Sequence, residues 1–187
     1  PNVVLFEDKL KKKFKAQGTA VVSSGTAALH LSGIALGWKP NDIVLTVPLT
    51  FIATANAVLY AGAKLDFIDI DSKTLNMDLN LLEKKIKDLK KRDQKIKSII
   101  AVDYAGNPCE WEDIKYLSKK YKFSVINDNC HAIGSKYKDS IGYAAKYADI
   151  VTHSYHAVKN ITTGEGGSVL SLNKKIIEKI KNLRTHG

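Results

Sequence analysis

Apolar residues along the chain follow two different periods, and the two kinds of segment alternate. Short β-type runs predict strands at 19–22, 43–46, 64–68, 97–102, 123–127, 149–153 and 167–171. Longer segments with a one-sided apolar face predict helices from Val3 to before Gly18, from Ser24 through Leu36, and at 51–61, 78–92, 110–121 and 174–185, the last with Asn173 as its cap. We therefore expect an α/β fold with a mostly parallel sheet flanked by helices and right-handed crossovers.

Composition places this pattern in one folded domain. The chain has 187 residues, of which 44% are hydrophobic, and it contains neither an internal repeat nor a low-complexity linker. That length suits a single α/β domain, and the apolar fraction excludes disorder as the main state.

The net charge of +10 raises the question of nucleic-acid binding. The distribution of the charge argues against it. Lysines in the segment 84–97 alternate with apolar positions such as Ile86 and Leu89, so they form the solvated face of a helix. Only Arg92 and Arg184 are arginines, whereas phosphate and base recognition favour arginine. We expect a generally basic surface and no nucleic-acid partner.

The uncharged run 43–63 is long enough to span a bilayer. Pro48, Asn56 and Gly62 make it a poor membrane helix, and we expect a buried strand, a turn and a helix instead. Cys109 and Cys130 match neither a CxxC clip nor a dense disulfide framework, so we expect a reducing, cytoplasmic setting without membrane association.

Ligands of parallel α/β sheets bind at the carboxyl ends of the strands. The first such place is the turn Ser23-Ser24-Gly25-Thr26-Ala27, which opens a predicted helix after the strand ending at Val22. The free N–H groups and the positive end of the helix dipole could hold a phosphate there. The turn is neither a GxGxxG fingerprint nor a Walker A loop, and taken alone it is better explained by an ordinary helix cap than by a phosphate site.

A second place is Asp128-Asn129-Cys130-His131, after the strand at 123–127. The aspartate could be a cap, a metal ligand or the electrostatic partner of a cofactor. A metal site would need further ligands, and His153 and His156 are poorly spaced to provide them, so we expect no metal. Cys130 beside His131 could suggest a thiol nucleophile, but adjacent side chains point apart, which favours a structural cysteine.

The third place is the segment from His153 to Gly167, which contains Lys159. This lysine has apolar and aromatic neighbours and no other cation nearby, and partial burial favours the neutral amine that carbonyl chemistry needs. Phe51, after the strand at 43–46, adds an aromatic surface. A phosphate cradle, a carboxylate, an aromatic ring and an amine are the four groups that pyridoxal 5′-phosphate (PLP) requires.

These segments resemble the DegT/DnrJ/EryC1/StrS family of PLP-dependent nucleotide-sugar aminotransferases. The resemblance rests on VVSSGTAALHL, VPLTFIATANAV, FIDID, AVDYAGNPCEWEDI, VINDNCHAIGSKY and SYHAVKNITTGEGGSV. It implies the large domain of the aspartate-aminotransferase-like (type I PLP) fold. The motifs are most similar to members that move an amino group, from L-glutamate, to C4 of a UDP-linked 4-keto-6-deoxy sugar in surface-polysaccharide or pseudaminic acid-type biosynthesis.

The resemblance also implies residue roles. Lys159 would carry the cofactor and shuttle protons, Asp128 would pair with the pyridine nitrogen, and His131 would lie near the phenolic oxygen. The remaining implied contacts are Phe51 on the ring, Gly25, Thr26, Ala27 and Ser154 on the phosphate, and His156 and Tyr104 on the substrate.

Family members are longer than this chain. The resemblance implies that residues 1–187 are the PLP-binding large domain, with an N-terminal segment and a small C-terminal domain outside them. It also implies a homodimer whose neighbouring subunit completes the active site. Two alternatives remain open: a non-catalytic PLP-binding relative, and a sugar dehydratase, although the dehydratases carry histidine where this chain has Lys159.

Overall fold

A computed structural model describes residues 2–186. The strands are β1 (Gly18–Val22), β2 (Ile43–Thr46), β3 (Lys64–Phe67), β4 (Ile96–Val102), β5 (Ser124–Asp128), β6 (Ile150–Ser154) and β7 (Gly167–Ser171). The helices are α1 (Asn2–Lys13), α2 (Gly25–Ala35), α3 (Ile52–Tyr60), α4 (Leu79–Lys91), α5 (Trp111–Tyr121), α6 (Tyr143–Tyr147) and α7 (Lys174–Leu183), with a 3₁₀ turn at Tyr104–Gly106.

The strands form one sheet in the order β1-β7-β6-β5-β4-β2-β3. The five strands from β6 to β3 are mutually parallel, whereas β7 is antiparallel to both β6 and β1. The expected α/β architecture with a mostly parallel sheet is confirmed. The reversed direction of β7 was not predicted, and it brings the start of β7 to the edge where β1 and β6 end.

Helices cover both faces of the sheet, because successive strand residues point to opposite sides. In β4, Ile99 packs into the layer that contains Trp111 of α5, while Ile100 packs into the opposite layer. That second layer includes Val58 of α3 and Ile180 of α7. Because both faces of the sheet are buried, the sequences of the central strands are nearly continuous apolar runs.

Local sequence signals account for the helix ends. The side chains of Ser24, Asp78 and Asn173 cap α2, α4 and α7 by accepting bonds from first-turn N–H groups. The cap predicted at Asn173 is therefore confirmed. In α4, Ile86 and Leu89 are buried beneath a lysine-rich outer face, as expected.

The uncharged run 43–63 forms β2, a connection and α3. Across residues 2–186, every helix is too short or too polar to cross a bilayer. Each predicted helix and strand is present; β2 and β7 have the predicted ends, and the other elements differ by a few residues at one or both ends. The short helix α6 and the 3₁₀ turn were not predicted.

Candidate functional site

A pocket of about 400 Å³ opens at the carboxyl ends of the parallel strands. Its wall combines segments that are far apart in the chain, which the sheet order brings together at one edge. The lining residues are Ser24, Gly25, Thr26, Leu29, Thr50, Phe51, Ala53, Thr54, Val102, Asp128, Cys130, His131, Ser154, His156, Val158, Lys159 and Glu165.

The N-terminus of α2 forms one side of the pocket. Ser24 Oγ accepts a bond from the Ala27 N–H at 3.1 Å, so that amide is already satisfied by the cap. Among the described residues, the N–H groups of Gly25 and Thr26 have no protein acceptor. A helix N-terminus with free N–H groups favours an anion, and here it faces the pocket.

Two glycines make this approach possible. A Cβ on Gly25 would lie 2.8 Å from Ser154 Cβ, and one on Gly167 would lie 2.3 Å from the Ser24 carbonyl oxygen. Neither distance is compatible with ordinary packing. The start of α2 therefore sits directly against the end of β6 and the start of β7 only because both positions lack a side chain.

Asp128, the last residue of β5, is 5% exposed. Its Oδ2 accepts a bond from Thr54 Oγ1 at 2.7 Å, and Thr54 is in turn 2.8 Å from Thr50 Oγ1. Its Oδ1 accepts the Cys130 N–H at 3.2 Å. The hydrogen bonds fix a carboxylate at the pocket wall with a defined orientation.

Lys159 lies in the loop between β6 and β7 and is half-buried at the same pocket. Its backbone N–H donates to the His156 carbonyl at 2.9 Å, which holds the loop in a turn. His131 lines the same pocket, and burial lowers its pKa, with the positive charge of Lys159 acting in the same direction. His131 is therefore a neutral imidazole at pH 7 that can donate or accept a hydrogen bond.

The mouth of the pocket is more open. Phe51, the residue before α3, is 65% exposed, and its ring is accessible for stacking. His156 is also exposed, with Nε2 3.6 Å from Glu165 Oε1. Tyr104 lies outside the lining and contacts it through an edge-on arrangement with His131, at a ring-centroid distance of 6.0 Å.

The structure thus gathers most of the candidate residues at one pocket. Gly25, Thr26, Phe51, Asp128, His131, Ser154, His156 and Lys159 line it, whereas Ala27 and Tyr104 do not. Sequence reasoning missed Thr50, Thr54 and Glu165. The threonines carried a usable signal, since they are polar residues four positions apart where a largely apolar helix begins, Thr50 just before α3 and Thr54 in its first turn.

Two residues considered as ligands or nucleophiles have other surroundings. His153 is enclosed in the core, with its ring 4.9 Å from that of Phe14. Burial raises the pKa of the Cys130 thiol well above its usual range, which keeps it protonated. Residues 2–186 contain no cluster of three or more His, Cys, Asp or Glu side chains placed to bind a metal.

The groups at the pocket fit PLP in chemistry and in placement. The free N–H groups of α2 suit a phosphate, and a fixed carboxylate and an amine occur at the same cavity. These groups come from three separate segments of the chain that meet at one pocket.

Comparison with known proteins gives the same picture. A transaminase of Campylobacter jejuni, named for UDP-4-amino-4,6-dideoxy-N-acetyl-beta-L-altrosamine, is 47% identical over 97% of this chain and 46% of its own length. PseC of Helicobacter pylori, an aminotransferase involved in pseudaminic acid biosynthesis, superposes with a TM-score of 0.89 at 33% identity, over 100% of this chain and 48% of PseC. The PLP form of Spr1654 from Streptococcus pneumoniae superposes with a TM-score of 0.89 at 30% identity, covering 100% of this chain and 51% of that one.

The chain therefore spans about half the length of the curated relatives it matches. The model of the DegT/DnrJ/EryC1/StrS aminotransferase family matches residues 1–187. With the sheet topology and the pocket in agreement, this chain belongs to the DegT/DnrJ/EryC1/StrS aminotransferase family.

Proposed function

We propose that the protein is a PLP-dependent nucleotide-sugar aminotransferase. It transfers an amino group from an amino acid, L-glutamate, to the C4 keto group of a UDP-linked 4-keto-6-deoxy sugar in polysaccharide or pseudaminic acid-type biosynthesis. The observation that carries the proposal is the convergence of Lys159, Asp128 and the N-terminus of α2 on one pocket. The names of the C. jejuni transaminase and of PseC support the substrate class.

The cofactor would be held by groups already described. The Gly25 and Thr26 N–H groups and the Ser154 hydroxyl would bind its phosphate, and Phe51 would cover one face of its ring. When bound, PLP supplies an aldehyde that can take up an amino group and a ring that stabilises negative charge at the adjacent carbon.

Lys159 and Asp128 would divide the remaining chemistry. Lys159 Nζ would accept a proton from the α-carbon of the amino-acid donor and later deliver a proton to C4 of the sugar. Asp128, fixed by Thr54, would keep the ring nitrogen protonated through a charged hydrogen bond. His131, as a neutral imidazole, would lie near the phenolic oxygen and help to orient the ring.

The exposed mouth supports a role for a second subunit. Phe51, Ile52 and Val158 are apolar and exposed around the opening. We propose a homodimer in which the neighbouring copy covers these residues and completes the sugar site, with residues 1–187 forming the cofactor-binding large domain. The reaction would take place in the cytoplasm, consistent with Cys109 and Cys130 being free thiols.

The test is an absorption titration of the full-length protein with PLP, before and after L-glutamate. We expect a visible band of lysine-bound cofactor that L-glutamate converts to the aminated form. Lys159→Ala should lose the band while keeping the fold, and Lys90→Ala, at an exposed lysine of α4, should keep it. Retention of the band in Lys159→Ala, or its absence from folded wild-type protein, contradicts the proposal.

A second variant tests the carboxylate. Asp128→Asn should still bind cofactor but transaminate roughly 100-fold more slowly or worse, because a preorganised charge is lost. Stopped-flow absorbance of the L-glutamate half-reaction measures this rate. Unchanged turnover would remove Asp128 from its proposed role.

A further inference from the structure

A second carboxylate lies behind the pocket, and the proposed reaction does not use it. Asp103 follows β4 directly and is 0% exposed. The described residues place no cation against it; its hydrogen-bond donors are all neutral. Burying an unpaired charge is costly. A fully buried aspartate that accepts hydrogen bonds from several different segments therefore does more than fill space in the core.

The two oxygens of Asp103 have different partners. Oδ1 accepts from the Cys109 N–H at 2.8 Å and from Trp111 Nε1 at 3.0 Å. These bonds attach the carboxylate to the start of α5, where Trp111 and Cys109 are themselves buried. One side of the carboxylate is thereby anchored to the rigid helical layer.

Oδ2 reaches the strand that carries the pocket carboxylate. It accepts from Asn127 Nδ2 at 3.0 Å, from Asn129 Nδ2 at 2.8 Å and from the Tyr143 hydroxyl at 2.7 Å. Asn127 and Asn129 are the residues on either side of Asp128. Asp103 Oδ2 therefore accepts hydrogen bonds from the side chains of both residues that flank Asp128.

The backbone adds a further link. The Asp103 N–H donates to the Asp128 carbonyl at 3.2 Å, and the Asn129 N–H donates to the Thr152 carbonyl at 3.0 Å. Thr54 holds the Asp128 side chain from the α3 side, while Asp103 holds the flanking amides from the side of α5 and α6. The orientation of Asp128 depends on both faces of the sheet.

We propose that Asp103 is a positioning residue: its carboxylate clamps Asn127 and Asn129 and so sets the direction in which Asp128 faces the cofactor. The hydrogen bonds from the Asn127 and Asn129 side chains to Asp103 are present in the structure, whereas their consequence for the cofactor rests on the proposed function. Asp103 touches neither cofactor nor substrate and acts only through Asp128.

The central variant is Asp103→Asn in the full-length protein. An amide keeps the size of the side chain but provides only one acceptor oxygen. Its NH₂ group must therefore oppose donors on one side, either those of Cys109 and Trp111 or those of Asn127 and Asn129. The matched control is Asp113→Asn, which removes an exposed carboxylate from α5. Tyr143→Phe removes a single hydroxyl donor and gives a milder test of the same clamp.

The first readout is amide hydrogen exchange without cofactor. In Asp103→Asn we expect residues 124–130 to exchange roughly tenfold faster, while β2 at 43–46 changes much less. Tyr143→Phe should give a smaller change in the same segment, and Asp113→Asn none. The proposal is overturned if residues 124–130 lose no more protection than β2 does.

The second readout is cofactor binding followed by absorbance. We expect Asp103→Asn to raise the PLP dissociation constant roughly tenfold and to move the pH midpoint of the bound-cofactor band, as a misdirected Asp128 would do. The double variant Asp103→Asn/Asn129→Asp keeps one carboxylate and one amide in the cluster, and it should recover most of the affinity.

The two readouts separate the possible failures. If wild-type protein shows no band, the proposed function fails, and the exchange data alone decide whether the clamp exists. If wild-type protein binds PLP and Asp103→Asn matches it in affinity and pH profile, Asp103 serves the fold alone and the positioning role is refuted.

Discussion

Replacing His153 provides a sharp test of how burial controls the acid stability of this protein. His153 lies in β6 with 1% of its surface exposed, and its ring packs against that of Phe14. Burial lowers its pKa to about 3. In the unfolded chain a histidine has a pKa of about 6.5. The folded state therefore resists protonation of a group that the unfolded state protonates readily.

The sign and size of the change in unfolding free energy with pH follow from proton linkage. Above pH 6.5 both states hold a neutral imidazole, so His153 contributes no pH dependence. Below that pH only the unfolded state binds the proton, and the free energy of unfolding falls by about 1.4 kcal/mol per pH unit until the pH approaches the folded pKa. Between pH 7.5 and pH 5.0 this residue alone removes about 2 kcal/mol of stability.

The assay is urea unfolding of wild-type protein and His153→Gln at those two pH values. Glutamine is uncharged and can keep a hydrogen bond to Ser168, whose Oγ lies 3.4 Å from His153 Nδ1. The variant can differ from wild type at pH 7.5, but we expect it to lose about 2 kcal/mol less on acidification. His186→Gln, at an exposed histidine, controls for the loss of an imidazole. Parallel stability curves for wild type and His153→Gln would refute the reasoning.

Two further predictions concern the pocket wall. Thr54→Val deletes the hydrogen-bond donor to the buried Asp128 carboxylate and should lower the free energy of unfolding by about 1.5–3 kcal/mol. Thr50→Val should lower it by about 1 kcal/mol or less. Thermal unfolding measures both changes, and equal effects would contradict the assigned bond between Thr54 and Asp128. Gly167→Ala places a Cβ 2.3 Å from the Ser24 carbonyl oxygen and should lower the free energy of unfolding by about 1–3 kcal/mol. It should also weaken phosphate binding, which calorimetry with PLP measures. If the substitution changes neither quantity, α2 can move away from β7 at little cost.

Most of the fold was predictable because its elements are long enough to show a period. The exceptions have physical reasons. Helix α6 has five residues, too few for a periodic signal, and it is held by burial of Tyr143 and Tyr147 in the core. The reversed direction of β7 could have been inferred, since no helix separates it from β6 and a parallel neighbour requires a crossover.

The location of the candidate site was predictable because the carboxyl ends of parallel strands meet at one edge of the sheet. Asp128 and Lys159 each follow or end a strand, so their convergence followed from the topology and agreed with the family resemblance. The contact between Thr54 and Asp128 joins residues 74 positions apart, and no local pattern encodes it. The same holds for the clamp at Asp103, whose partners Asn127 and Tyr143 are distant in sequence and are assembled only by packing of the sheet against α5 and α6.

The place of β1 in the sheet has a consequence for how the protein is made. This strand leaves the ribosome before the other six strands of the sheet, yet its hydrogen-bonded neighbour is β7, the last of the seven to emerge. Such distant pairings close slowly because the entropy of the intervening loop must be overcome first. The turn at Ser24 and Gly25 is then held in place only when β7 arrives, after Lys159. A nascent chain can thus contain every residue proposed to bind the cofactor while lacking the geometry to bind a phosphate, so we expect loading of the cofactor to follow completion of the sheet.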